Sequence, residues 1–388
     1  MTTTLTIVGG GIGGLVSAIA AREAGLDVQV LESKRVLGGR ARSAPAPYVA
    51  NWGPHALYAD GAMWRWLDER GLAQPCARPP LRHALLFRRD GKLRRVPGRA
   101  LTMAIARLHR TEAPADRTFV DWAADLVGDE VATRVSRMAG VFSFDHDPGR
   151  LSAAFVRDRL VRVTRIPSPA RFVIGGWSAL VSRLADRARS LGARIETGAR
   201  VDTLPDAPVV LAVPMAIAVD LLGDETLRWT GTTTALLDVG ITARRGDPYV
   251  VWDLDDAGWV ETFSYADPSL APKGEHLVQA QTGLRPGEPL DDGVCRLEAI
   301  LDDAYPSWRE REMWRRRARI QDDSGALDPP GTTWRDRPAV NRGDGVYVVG
   351  DMMAAPGLLS EVTHASALSA VEAVAGATRP LEHRSVAR

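Results

Sequence analysis

The chain is short of the residues that mark several protein classes. It holds two cysteines in 388 residues, Cys76 and Cys295. They are too few for a disulfide framework or a zinc cluster, and both read as small, buried or half-buried apolar residues. No metal site is expected. Lysine is nearly absent: Lys34, Lys92 and Lys273 are the only ones among 49 basic residues. We read that scarcity as codon bias without functional weight. Charge of one sign is missing too, since 49 basic and 48 acidic residues leave a net charge of +1. No strong field therefore draws nucleic acid or an anionic membrane. No apolar run approaches the ~18 residues of a spanning helix. The first apolar segment starts within a few residues of Met1, and the tail 378–388 is polar. The expectation is a soluble, cytoplasmic protein with no signal peptide, transmembrane segment or C-terminal anchor.

What is present is ordinary in bulk and specific in detail. Hydrophobic residues make up 45% and charged residues 25%, as in globular proteins, and the length suits two domains. The most informative stretch is 5–43, LTIVGGGIGGLVSAIAAREAGLDVQVLESKRVLGGRARS. A short apolar strand, 5–8, runs into Gly9-Gly10-Gly11-Ile12-Gly13-Gly14, then a helical pattern, then a second strand ending at Glu32. Gly9 suits a tight turn, Gly11 leaves room for backbone to approach a pyrophosphate, and Gly14 lets the helix pack against the sheet. The helix N-terminus offers free N–H groups to phosphates. Glu32 lies where a carboxylate accepts hydrogen bonds from a ribose diol, with Ser33 beside it. Strand, glycine turn, helix and acid together predict a dinucleotide site, and by themselves they fit NAD or FAD.

The next segment tilts the choice. Gly38-Gly39-Arg40-Ala41-Arg42 places a glycine pair before arginines whose guanidinium forks can neutralise pyrophosphate. Near the other end, Gly345-Val346-Tyr347-Val348-Val349-Gly350-Asp351 is an apolar strand ending in Gly-Asp, followed by a helical run over 361–375. With these motifs the chain resembles the flavoprotein family of amine oxidases, phytoene desaturases and protoporphyrinogen oxidases. The resemblance continues, more diffusely, through Asp147-Pro148 and Leu151-Ser152-Ala153, Gly175-Gly176-Trp177, and Val213-Pro214. It implies a Rossmann-like FAD-binding α/β domain with a discontinuous α+β substrate domain. It also implies that FAD is held by Gly9, Gly11, Ile12, Gly13, Gly14, Glu32, Ser33, Gly39, Arg40, Gly350 and Asp351, with adenine near the backbone of Val201.

The expected organisation interleaves two domains. Segments 1–80, 171–213 and 335–380 form the FAD-binding domain, 81–170 and 214–334 the substrate domain, and 381–388 a polar tail. Helices are expected over 101–108, 119–126 and 129–139, where apolar residues recur every three or four positions. Strands over 229–242, 249–253, 260–265 and 276–282 would roof the substrate cavity. The basic run 309–319 reads as a helix with a solvated face.

Catalytic side chains are few in such an enzyme, because the flavin itself accepts the hydride at N5. His55, which the resemblance brings past the flavin ring, suits a general base or a hydrogen-bond donor to substrate, or a purely structural histidine. His364, at the start of the C-terminal helix, is the second catalytic candidate. Trp52, Tyr58 and Trp177 suit either the wall of an apolar substrate pocket or core packing. One departure from the family stands out. Many amine oxidases carry a lysine beside flavin N5 that assists reoxidation by oxygen, and 232–242 contains none, while Lys273 precedes another strand. This favours a dehydrogenase or desaturase with an electron acceptor still to be identified, oxygen or other. The alternatives are a reduced-flavin isomerase, a flavin-free protein resembling GDP-dissociation inhibitors, and a nicotinamide-dependent dehydrogenase.

Overall fold

A computed structural model describes residues 4–53, 55–80, 83–321 and 325–378; the expected tail 381–388 lies outside them. Two large sheets organise the chain, beside a small one of three short strands. The first has six strands in the order Asn341–Gly343, Val346–Val348, Val209–Leu211, Thr4–Val8, Asp27–Glu32, Arg194–Thr197. All its pairings are parallel except the hairpin at the Asn341–Gly343 edge. Its central strands are apolar, and Val209, Val210, Leu211, Ile7 and Val30 are fully buried. Helices Ile12–Glu23, Trp177–Ser190 and Ser360–Thr378 supply the other side of that core. Such two-sided burial is what a parallel sheet requires.

The second sheet has seven strands in the order Glu312–Gln321, Thr233–Thr242, Glu275–Gly283, Trp259–Thr262, Val250–Asp253, Leu85–Arg89, Lys92–Arg94. One face carries Ala235, Leu237, Val239, Val278 and Ala280, packed on helix Leu290–Ala304. The opposite face presents polar residues, Asp238, Gln279 and Arg316, towards the backbone of Ala50 and Asn51. Four helices, Arg99–Arg110, Phe119–Val127, Asp129–Ser143 and Ala153–Val163, share a separate apolar core.

Three expectations are corrected. The basic run 309–319 is no helix: Trp308–Arg311 is a short 3-10 turn and Glu312–Gln321 is a strand. Its burial alternates residue by residue, with Trp314, Arg316, Ala318 and Ile320 inward and Arg315, Arg317 and Arg319 outward. Period two was present under the charge, and outward arginines suit a sheet edge that must not pair with another chain. The second correction is the hairpin Leu85–Arg89 with Lys92–Arg94, inside segment 81–170, for which the apolar spacing predicts helices and no strand. It extends the seven-stranded sheet by parallel pairing with Val250–Asp253. Cys295, expected to be at least half-buried, is exposed on helix Leu290–Ala304.

Candidate functional site

Three loops meet at the carboxyl ends of the parallel strands. In the first, the glycines do different work. A Cβ on Gly9, whose φ is 106°, would stand 2.3 Å from the Ala212 carbonyl oxygen, and one on Gly14 would stand 1.9 Å from that of Gly9. Both are needed for packing. A Cβ on Gly11 would meet nothing nearer than the Gly38 oxygen at 3.8 Å, so the protein itself leaves that space open. Gly11 caps helix Ile12–Glu23 in an extended conformation, and its carbonyl accepts the Leu15 N–H at 3.0 Å. The N–H groups just ahead have no partner within the helix, and no acidic residue occupies the first turn.

Glu32 ends its strand almost wholly buried. Its Oε2 accepts the Gly10 N–H at 2.7 Å and its Oε1 the Lys34 N–H at 2.9 Å. Ser33, beside it, is exposed and donates to the same carboxylate at 3.3 Å. Glu32 therefore holds the fingerprint loop and still has lone pairs to offer. The glycine doublet docks on that loop, with Gly38 N–H donating to the Gly10 carbonyl at 2.8 Å. From the far end of the chain, strand Val346–Val348 delivers Gly350 and Asp351. Ser366 Oγ of the last helix accepts the Gly350 N–H at 3.1 Å. Arg40 then joins Asp351 at 2.7 Å.

Between these loops lies a cavity of about 330 Å³. Of the residues expected to hold cofactor, Gly11, Ile12, Gly13, Gly39, Arg40, Gly350 and Asp351 line it. Gly9, Gly14 and Glu32 stand behind them as loop supports. Ser33 is outside the wall, and Val201 packs half-buried against the core of the parallel sheet. His55 and Trp177 line the cavity with ring centroids 4.6 Å apart. Asn51 fixes that corner: its Oδ1 accepts the Trp177 N–H at 3.0 Å and the Ser43 hydroxyl at 2.8 Å.

The other candidates lie elsewhere. Trp52 sits beneath the Arg316 guanidinium at 4.6 Å, and Tyr58 beneath that of Arg162 at 4.9 Å. His364 follows the cavity residue Thr363 but points the other way, edge-on to Trp66 at 5.5 Å. Both its ring nitrogens are buried without hydrogen-bond partners, and burial, aided by the charge of Arg70, pushes its pKa down to about 4. Several lining residues were not singled out from the sequence: Phe144, Met215, Gln321, Met352 and Thr363. Phe144 takes a left-handed conformation, φ 58°, at the end of helix Asp129–Ser143, shortly before the Asp147-Pro148 pair. No local signal marks Gln321, because its place at a strand end depends on the register of the sheet.

A buried polar cluster backs this corner. Asp238 accepts from Gln279 at 2.8 Å and from Arg316 at 2.7 Å, and Gln279 also donates to the Asn51 carbonyl at 3.0 Å. Burial pushes the Asp238 carboxyl up to about 6 against the pull of Arg316 and Gln279. The cluster ties the seven-stranded sheet to the segment that carries His55.

Comparison with known proteins places this geometry. The family described as NAD(P)-binding Rossmann-like domain matches residues 7–70, the stretch that holds the fingerprint, Glu32, the doublet and His55. No curated protein matches the sequence. Solved structures match almost end to end. An oxidoreductase from Methanosarcina mazei superposes with a TM-score of 0.77 at 17% identity, covering 95% of this chain and 100% of its own. Cyclohexylamine oxidase from Brevibacterium oxydans gives 0.67 at 14% identity, covering 97% and 99%. The chain shares their fold. Reduced UDP-galactopyranose mutase has it as well, with a TM-score of 0.71 at 13% identity over 98% of this chain and 97% of that one.

Proposed function

We propose that the chain is an FAD-dependent oxidoreductase that dehydrogenates a C–H bond of a small to mid-sized, fairly apolar metabolite. The observation that carries this reading is the convergence of the fingerprint loop, the glycine doublet and the C-terminal Gly350-Asp351 loop on one cavity, joined by the Arg40–Asp351 pair. The residues fit the cofactor. Space stands open at Gly11 and Gly350, a helix N-terminus without a side-chain cap faces the cavity, and Arg40 supplies a cation beside it. In this reading Gly11–Gly13 and Arg40 hold the pyrophosphate, Glu32 the adenosine ribose, and Gly350 and Asp351 the ribityl end. Val201 stays a candidate for the adenine contact.

Bound there, FAD supplies a hydride acceptor at N5. The chain orients the substrate and keeps water out. Trp177 and Phe144 offer apolar walls, and His55, at the cavity surface, is the candidate to donate to the substrate or take its proton. The segments 1–80, 171–213 and 335–380 act as the cofactor domain in this account, and 81–170 and 214–334 as the substrate domain. Strand Thr233–Thr242 carries no lysine, which supports an acceptor other than fast-reacting oxygen. Cytoplasmic action fits a chain in which no helix among the described residues is long and apolar enough to cross a membrane.

The fold likeness to a mutase supports a second reading, a reduced-flavin isomerase. Anaerobic mixing with a panel of amines, polyenes and cyclic metabolites separates the two. A substrate that bleaches the flavin without an acceptor supports dehydrogenation. Turnover only after dithionite reduction, with no net oxidation, supports isomerisation.

A further inference from the structure

The near-zero net charge conceals a local excess. Between Asp90 and Glu112 the chain holds Lys92, Arg94, Arg95, Arg99, Arg107 and Arg110 and no acidic residue. All six are exposed, and none of their side chains makes an ion pair or hydrogen bond among the described residues. The basic run 309–319 is different. Arg309 and Arg315 share Glu298, Arg315 also holds Glu312, and Arg317 holds Asp291. That run is neutralised by its own neighbours, and the run 92–110 is not.

The fold gathers these charges on one side. Helix Arg99–Arg110 buries Leu101, Ala104 and Leu108 in the four-helix core. Its opposite side carries Arg99, Met103, Ala106 and Arg110, three or four residues apart, with Thr102 and Arg107 flanking them, all exposed. Arg94 stands opposite Phe87 in the edge hairpin. Phe87 belongs to the same core as Leu101, so Arg94 emerges on the sheet face that the helix covers. Apolar side chains lie among the charges. Val96 is 66% exposed and Met103 60%. At the far end of the helix His109 bonds the Thr164 hydroxyl at 2.7 Å, and two residues on Ile166 is 94% exposed. These are three of the four most exposed large apolar residues among those described.

The mixture of residues says which partner fits. A nucleic acid backbone would use the charges and leave Val96, Met103 and Ile166 in water. A protein partner would call for a pocket or a large aromatic anchor, and this convex helix side carries no Phe, Tyr or Trp. An anionic bilayer uses both kinds of side chain. Its headgroups take the guanidinium and ammonium charges, and its boundary with the acyl chains takes the apolar tips. Arginine and lysine stems lie along apolar surface while their heads reach the headgroups. We propose that the outer side of helix Arg99–Arg110, with the adjoining segment 92–96, docks the protein peripherally on an anionic lipid surface. The helix lies in the plane of the headgroups and does not span.

The test is co-sedimentation of the full-length protein, at physiological salt, with vesicles of phosphatidylcholine alone and of phosphatidylcholine mixed with phosphatidylglycerol. Wild type is expected to bind the mixed vesicles at least about tenfold more tightly, because each basic residue near an anionic surface adds to the attraction. The triple variant Arg99→Gln, Arg107→Gln, Arg110→Gln is expected to lose at least about tenfold of that affinity. Met103→Asn, which keeps every charge, is expected to weaken binding with the salt dependence of wild type. Wild type that ignores both vesicle types or binds them equally overturns the proposal, and this comparison needs no variant to fold. Undiminished binding by the triple variant or by Met103→Asn overturns it as well. So does tighter binding to duplex DNA than to the mixed vesicles at the same salt, which assigns the charges to nucleic acid. Binding is read without turnover, so the outcome is independent of the flavin reading.

Discussion

Arg40 and Asp351, 311 positions apart in sequence, form an ion pair of 2.7 Å in the wall of the cavity. Arg40 leaves the glycine doublet and Asp351 ends the last parallel-sheet loop, so the pair fastens the two ends of the chain. Its side chains are 46% and 13% exposed, and a pair that wet contributes at most about 1 kcal/mol. Asp351→Ala is therefore expected to change the melting temperature little and the flavin content strongly. Absorbance per mole of protein, measured beside a thermal melt, checks this.

Gly11 and Gly14 should behave differently although both belong to one motif. Gly11→Val adds bulk where the protein leaves space, so the variant is expected to fold and to purify without cofactor. Gly14→Ala forces a Cβ against the Gly9 carbonyl, so it is expected to express poorly or melt early. Soluble yield, melting temperature and flavin content of the two variants, compared side by side, decide the matter.

Glu32 supports its own loop as well as any ribose. Removing it leaves the buried Gly10 N–H without an acceptor, a loss of about 1–3 kcal/mol. Glu32→Ala is expected to destabilise the protein by that order even when it is stripped of cofactor, and to release flavin more readily when loaded. Denaturant unfolding of both forms measures the two effects separately.

Two buried groups give pH dependences of opposite sign. Burial raises the Glu261 carboxyl from 4.5 to about 7, and its Oε1 has no hydrogen-bond partner. The folded state then binds more protons than the unfolded one between those values, so this group's contribution falls as pH rises through the window. His364, lowered from 6.5 to about 4, binds fewer protons when folded, so its contribution is lost as pH falls below 6.5. Melting temperatures from pH 4 to 8 are expected to drop less on the alkaline side in Glu261→Gln, and less on the acid side in His364→Leu.

Local pattern made much of this legible. The fingerprint, Glu32, the doublet and Gly350-Asp351 were read because each has a fixed spacing to a strand or helix end, and such spacing survives without knowledge of the rest. Helices such as Phe119–Val127 showed their apolar period directly. The arginines of strand Glu312–Gln321 suggest a solvated helix face, and their alternation has meaning only beside Thr233–Thr242. Gln321 and Met352 reach the cavity through long-range pairing that no local pattern encodes. His364 lies on the helix that lines the cavity, and one residue of rotation from Thr363 turns it to Trp66 instead.

The account stands on the convergence of three loops around one molecule, and releasing that molecule is the direct measurement. Purified protein, reconstituted with FAD if needed and passed through a desalting column, is expected to stay yellow and to yield FAD on heating at about one equivalent per chain. Protein that folds, remains colourless after reconstitution and releases no flavin would contradict it.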